Sequence, residues 1–365
     1  MKNVLFIGPY NLQSGWGEAS RRYLSVLAKC DINLCCSPIY MSSGTIQTNF
    51  HEIEQNKSIS YDTIIQNVLP HLATRFHNSK NVLIADFETN HIEHTGWVQH
   101  INMMDEVWVD TLREKEILET SGVTIPIKVI VMPVDLSQYN IELNYNKLKD
   151  LQSKVVFYFV GEYTERKNVR DLVTAFNREF HYTDNALLVI KTSLGNLNPN
   201  KVTDYAVNDL GELKGNFRIY GDDSLYKSEL LITERFSFNE LFAMHSLAKC
   251  FVMPSRGESS CLPLLDAMYF NSHCIVTKNT GMETTVGPFN KYLVDSYETP
   301  VVCKSPPLPN IYTTRETWQQ IDLLDLQKKM RAAYLDFPMS GGKEYISKVH
   351  GIDSLVPFYS GLING

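Results

Sequence analysis

The sequence predicts an α/β protein of two domains, each a parallel sheet with helices on both faces. Three observations carry that reading. Short apolar runs alternate with stretches of helical period along most of the chain, the pattern of βαβ units. At 365 residues the chain exceeds what one simple core supports. A polar stretch over residues 135–150, rich in Asn, Tyr and Lys, separates two such α/β runs and reads as a linker. The expected domains are 1–145 and 146–335, with a tail over 336–365 returning to the first.

In the first half, residues 4–7 are fully apolar and form a strand. GPYNLQSGWGEAS follows and opens a helix over residues 18–30. Gly15 and Gly17 make this loop either a tight turn or a surface that lets a phosphate or sugar approach the backbone. A dinucleotide-binding dehydrogenase would place an acid after the next strand, residues 32–37, to hold a ribose. That strand ends in Cys35-Cys36-Ser37-Pro38, so this function is set aside. Residues 40–61 are polar and read as a long loop. The spacing of Ile65, Val68, Leu69 and Leu72 predicts a helix over 64–76. Strands follow at 82–87, 106–109 and 128–132, with helices at 97–104 and 111–122. Glu88 and His91 fall just beyond the strand at 82–87, the end at which open α/β sheets place their chemistry.

The second half begins with a strand over 155–160 and a helix over 169–180. A strand at 187–191 precedes loop-rich residues 193–216. Residues 217–220 and 230–233 are strand candidates. A helix over 238–249 carries a capping-box pattern, Ser237 with Glu240. Residues 250–253 form a buried strand, 254–261 a polar loop, and a helix opens at Leu262-Pro263, since proline suits a first helical turn. A strand at 273–277, a loop at 279–285, a proline-rich stretch at 300–312, an amphipathic helix at 317–335 and a helical tail at 345–363 complete the chain.

The net charge is −7, and no Lys/Arg run exceeds a dipeptide. Nucleic acid is therefore not an expected partner. The seven cysteines are odd in number, show no C-x-x-C, and sit in apolar runs, which suits a reducing compartment. MKNVLFIG runs straight into a strand without a leader pattern, and no apolar run reaches membrane-spanning length. The expected location is cytoplasmic, with peripheral membrane contact left open.

Two stretches concentrate chemistry. Glu258 lies in the loop before the helix at Leu262, and Asp266 lies eight residues later on that helix. A loop that brings backbone N–H groups to a helix N-terminus suits an anion such as a diphosphate. A carboxylate on either side could then hold hydroxyls. Arg166-Lys167, after the strand at 155–160, is either a solvated pair or a pair of cations placed to neutralise a leaving diphosphate. His91 and His94 stand at a spacing that a metal could bridge, but no H-E-x-x-H accompanies them and no third ligand has an evident spacing. No metal is expected.

Four stretches together resemble glycosyltransferase family 4, nucleotide-sugar-dependent retaining enzymes of GT-B fold. They are SGWGEASR from Ser14, FETNHIEHTGWVQHINMMDEVWVDT from Phe87, GEYTERKNVRDLVTAF from Gly161 and PSRGESSCLPLLDAM from Pro254. The segment WQQIDLLDLQKKMRAAYLD from Trp318 is similar to the family's closing helix. The resemblance implies two Rossmann-like domains whose parallel sheets face across a cleft, and hexose transfer from a nucleoside diphosphate sugar, UDP-linked before GDP-linked. It implies no metal or other cofactor and leaves the acceptor unknown, whether saccharide, lipid-linked or other. It also implies that Lys167 with Arg166 binds the diphosphate, Glu258 the sugar hydroxyls and Asp266 the ribose. The backbone at Ser259, Ser260, Cys261 and Leu262, and at Gly15 and Gly17, would approach phosphate and sugar. Glu88 and His91 are the candidates for the family's catalytic-centre residue in the first domain. Three departures stand out: Asp266 replaces a longer glutamate, Glu162 stands where many members carry arginine, and Ser259-Ser260-Cys261 replaces a glycine-containing loop. A donor hydrolase or a nucleotide-sugar-binding protein is the alternative.

Overall fold

The apolar run at Asn3–Gly8 becomes β1, and Ser14 caps the helix behind it, α1 (Gly15–Leu27), by accepting from the Gly17 N–H. The structure, a computed structural model, describes residues 1–40, 45–222, 225–304 and 311–365. The chain divides into two units, Met1–Gln138 with Tyr345–Gly365, and Tyr139–Glu344.

The first unit continues with β2 (Asn33–Pro38), α2 (His51–Gln55), β3 (Thr63–Asn67), β4 (Lys80–Ile84), α3 (Trp97–Asn102), β5 (Glu106–Val109), α4 (Leu112–Thr120) and β6 (Ile127–Val129). Among the described residues its sheet runs β2-β1-β3-β4-β5-β6, with every neighbouring pair parallel. Strands buried on both faces explain the near-continuous apolar runs. One core packs Leu83, Ile101, Val107, Val109 and Leu118 together on this sheet.

The second unit contains β7 (Val155–Glu162), α5 (Val169–Glu179), β8 (Ala186–Ser193), α6 (Pro199–Gly215), β9 (Leu230–Ile232), α7 (Phe238–Leu247), β10 (Cys250–Met253), α8 (Leu262–Tyr269), β11 (His273–Thr277), α9 (Gly281–Val286), β12 (Leu293–Val294), β13 (Ser296–Pro300), β14 (Thr317–Ile321) and α10 (Leu323–Leu335). Its parallel sheet runs β12-β11-β10-β7-β8-β9. Counted within the unit this is the doubly wound order 6-5-4-1-2-3, and the winding reverses between β7 and β10.

The chain ends with α11 (Gly342–Val349) and α12 (Ile352–Asn364). The last helix packs on α1, and the segment is tied down through His350 Nδ1 to the Met132 carbonyl at 3.0 Å and Tyr359 Oη to the Val131 carbonyl at 2.8 Å. No helix among the described residues is long and apolar enough to cross a membrane.

The α/β class with two Rossmann-like sheets is as the sequence predicts, and the second unit carries the capping box at Ser237 and Glu240. Six local expectations are corrected. Residues 64–76 are not a helix: β3 ends at Asn67, and Pro70 starts a single 3₁₀ turn. Residues 193–216 contain the long helix α6, because Asn198 accepts from the Lys201 N–H as N-cap and Pro199 takes the first turn. Residues 217–220 are irregular, with Arg218 at positive φ. Residues 279–285 hold α9 rather than a plain loop. The first five residues of the stretch 317–335 are a strand, β14, paired antiparallel with β13, and only the rest is helical. The expected loop at 40–61 contains α2. Part of it, residues 41–44, and part of the proline-rich stretch, residues 305–310, lie outside the described residues.

Candidate active site

The reversal in the second sheet puts the carboxyl ends of β7 and β10 side by side, which is where doubly wound sheets bind ligands. The loop after β7 carries Arg166 and Lys167. It enters α5 through Asn168 in the left-handed region (φ 61°), a conformation asparagine tolerates. The loop after β10 carries Ser255 to Ser260 and enters α8 through Cys261, also left-handed at φ 58°.

Backbone bonds knit the two loops together. The Arg256 N–H donates to the Arg166 carbonyl at 2.8 Å, and Asn168 Nδ2 donates to the Pro254 carbonyl at 3.2 Å. The Arg256 guanidinium donates to the Glu165 carbonyl and to Gln320 Oε1, and lies 5.3 Å from the centre of the Trp318 ring. Gln320 and Trp318 belong to β14, so the hairpin that the sequence did not reveal buttresses these loops.

Three charges converge on one oxygen. Glu258 Oε1 accepts from Arg166 Nη1 at 2.5 Å and from Ser255 Oγ at 2.7 Å, and Lys167 Nζ lies 2.7 Å from it. Glu258 is 8 % exposed. Burial works to raise its pKa, but Lys167 and Arg166 outweigh that and hold the carboxyl down to about 2. These three contacts all fall on Oε1. The cluster keeps one net positive charge, and both cations are largely shielded from water.

Beside it lies the start of α8. Gly281, first residue of α9, donates its N–H to the Glu258 carbonyl at 2.9 Å, and a Cβ there would meet the Glu258 and Ser259 carbonyl oxygens at 2.7 Å. Ser260 and Cys261 are buried. Burial and the Glu258 charge push the Cys261 thiol up to about 12, so it stays protonated at neutral pH and is no nucleophile.

Asp266 shares α8 with this cluster, but its carboxylate is engaged elsewhere. Tyr139 Oη donates to Asp266 Oδ1 at 2.6 Å, Asp266 is 6 % exposed, and the Tyr139 ring stacks on Tyr269 at 3.8 Å. The sequence reading missed Tyr139, which lies in a polar stretch 127 residues away. It also missed Ser255 as a partner of Glu258.

The remaining candidates belong to the first unit. Gly17 is required by a close approach, since a Cβ there would lie 2.2 Å from the Leu12 carbonyl oxygen, whereas Gly15 has open space around it. Arg21 Nη1 holds the loop before α1 by donating to the Tyr10 and Leu12 carbonyls at 2.8 and 2.9 Å. Glu88 and His91 sit in the loop between β4 and α3. Behind them Glu114 accepts from the Phe87 N–H at 2.9 Å; burial and the nearby Asp86 and Asp110 charges push its carboxyl well up. The structure thus brings together Arg166, Lys167, Glu258, Ser259, Ser260, Cys261 and Leu262 in the second unit, and Gly15, Gly17, Glu88 and His91 belong to the other.

Residues 141–300, which include this cluster, match the model of the family described as Glycosyl transferases group 1. No curated protein matches the chain. Solved structures match over essentially the whole length. Sucrose-phosphate synthase from Thermosynechococcus elongatus is 14 % identical, with a TM-score of 0.64, over 100 % of this chain and 98 % of its own. Anabaena HepE, solved in complex with UDP and glucose, is 12 % identical with a TM-score of 0.60, over 100 % of both chains. The α,α-trehalose 6-phosphate synthase from Burkholderia multivorans is 8 % identical with a TM-score of 0.61, over 100 % and 98 %. The likeness to these solved structures shows the GT-B fold, and within the second unit residues 141–300 match the group 1 model.

Proposed function

We propose that this chain is a retaining hexosyltransferase that uses a nucleoside diphosphate sugar, UDP-linked before GDP-linked, with UDP-glucose the first donor to try. The observation that carries the reading is the convergence of Arg166, Lys167 and Glu258 at the switch point of a 6-5-4-1-2-3 sheet, beside the N-terminus of α8. The group 1 domain and the UDP and glucose bound to Anabaena HepE support it.

In this reading Arg166, Lys167 and the first backbone N–H groups of α8 receive the diphosphate. Negative charge grows there as the bond between the anomeric carbon and the diphosphate oxygen breaks. That oxygen keeps the electron pair. The acceptor oxygen attacks the anomeric carbon on the face the leaving group quits, and its proton passes to the departing phosphate. Oε1 of Glu258 is held by its three partners, and Oε2 takes a hydroxyl of the sugar. Asp266, bonded to Tyr139, reaches the ribose only through a relay. Gly15 and Gly17 keep the donor-binding role that the resemblance implies, and Glu88 and His91 are the catalytic candidates of the first unit. No metal is needed, because fixed cations and a helix terminus do the work a divalent ion would do. The buried thiols of Cys30, Cys35, Cys36, Cys250, Cys261 and Cys274 suit a cytoplasmic location.

The capped state of Asp266 favours a second reading, donor hydrolysis or donor binding without transfer. One experiment separates them. The protein is screened with UDP- and GDP-sugars for thermal stabilisation, then incubated with the best donor with and without saccharide and lipid-linked acceptors, and products are analysed by NMR. An α-linked product from an α-linked donor supports retaining transfer. Free sugar alone supports hydrolysis, and failure of every nucleotide sugar to bind overturns the proposal.

A further inference from the structure

The loop between β4 and α3 carries His91, Glu93 and His94, whose ligand atoms all lie within 4.8 Å of one another. His91 Nδ1 stands 3.6 Å from Glu93 Oε2, and His94 Nε2 stands 3.5 Å from Glu93 Oε1. These separations are too long for good N–H···O hydrogen bonds, which fall at about 2.7–3.2 Å. Each nitrogen faces a different oxygen of the Glu93 carboxylate, and each separation is close to the spacing of neighbouring ligand atoms around one tetrahedral ion. With metal–ligand bonds of about 2.0–2.1 Å, neighbouring ligand atoms lie about 3.4 Å apart. His91 Nδ1 is also a buried nitrogen with no hydrogen-bond partner, and the two imidazoles meet edge to face at 5.7 Å between centroids.

The backbone that presents these groups is fixed. Ile92, between the first two ligands, is 2 % exposed and donates its N–H to Ser121 Oγ at 2.9 Å. Thr89 Oγ1 donates to the His91 carbonyl at 3.0 Å, and Thr95 Oγ1 donates to the Ile92 carbonyl at 2.8 Å. A clamp on each side thus pins a four-residue turn whose outward side chains converge, and pre-organisation of this kind lowers the cost of closing a metal site.

We propose that His91, Glu93 and His94 form a site for a divalent first-row transition ion, with zinc the chemical type that imidazole and carboxylate ligands suit. Spacing in the sequence suggested only the histidine pair; the third ligand is the glutamate between them. Three protein ligands leave at least one position for water or an exogenous oxygen ligand. The proposed site belongs to the first unit, and the Arg166, Lys167 and Glu258 cluster to the second.

The test uses full-length protein dialysed against EDTA and titrated with zinc chloride in competition with a chromogenic chelator, for wild type, Glu93→Gln and His94→Ala. Circular dichroism establishes that each variant is folded, and Glu93→Gln keeps the side-chain volume should His94→Ala be unstable. Wild type takes up one equivalent, zinc raises its melting temperature, and each folded variant binds at least tenfold more weakly with UDP binding unchanged. Uptake that is absent in wild type, or equal in the variants, overturns the proposal.

Discussion

Changing Glu258 to Gln removes the negative charge that pairs with both Arg166 and Lys167. The contacts at issue are 2.5 Å to Arg166 Nη1 and 2.7 Å to Lys167 Nζ, on a residue only 8 % exposed. A carboxyl held at about 2 instead of the ordinary 4.5 corresponds to about 3 kcal/mol in favour of the ionised form. Removing one partner of a buried ion pair costs a similar amount, about 3–5 kcal/mol. Gln keeps the volume and one acceptor, so we expect a loss of about 2–3 kcal/mol, a fall of roughly 4–12 °C in the melting transition of a unit this size. Differential scanning fluorimetry reads that fall. The sharper readout is its response to UDP. In the variant the two cations have lost their counter-charge, so UDP should raise the transition by more than it does in wild type, while turnover of UDP-glucose is lost. If Glu258→Gln melts within about 1 °C of wild type, or UDP stabilises both proteins equally, the cations are not an anion site and the reasoning fails.

Other expectations follow from the same geometry. Because the Glu258 carboxyl is depressed in the folded state, its stabilisation is fully present above about pH 4.5 and is lost as pH falls toward 2; acid unfolding followed by fluorescence should show Glu258→Gln losing the least stability over that window. Lys167→Ala should lower turnover of the preferred donor by about 100-fold or more while leaving the far-ultraviolet circular dichroism unchanged, and an unaffected rate would count against the diphosphate assignment. Tyr139→Phe should cost about 1.5–3 kcal/mol in urea unfolding by removing the 2.6 Å bond to Asp266. Gly17→Ala should destabilise by about 1–3 kcal/mol, because the Leu12 carbonyl cannot yield to a Cβ 2.2 Å away, whereas Gly15→Ala, with nothing nearby, should change stability by less than about 0.5 kcal/mol.

Much of the second unit is legible in the sequence because its elements are bounded by unambiguous chemistry. Cys250–Met253 is an uninterrupted apolar run between a helix and a proline, and the strand has those bounds. Ser237 and Glu240 announce a helix start, and both halves of the box form. Where periodicity and punctuation disagreed, punctuation was the better guide. Ile65, Val68, Leu69 and Leu72 have helical spacing by coincidence, yet the buried strand ends at Asn67 and Pro70 starts only a short 3₁₀ turn. Asn198-Pro199 looks like turn chemistry but is a helix start. The strand at Thr317–Ile321 was invisible because its partner lies across a long insertion, and pairing at that distance leaves no local trace. The site follows the same division. Cations after one strand and an acid after another were readable separately. Their meeting on a single oxygen, 92 residues apart in sequence, depends on the strand order, which no local pattern encodes. Tyr139 over Asp266 was likewise beyond reach.

The most direct test of the central claim is isothermal titration of UDP into wild type and into the Arg166→Ala/Lys167→Ala double variant, with folding checked by circular dichroism. Two charge-assisted contacts of about 1.5–3 kcal/mol each predict that the folded double variant binds UDP at least about 100-fold more weakly. Equal affinity in the two proteins would contradict the account.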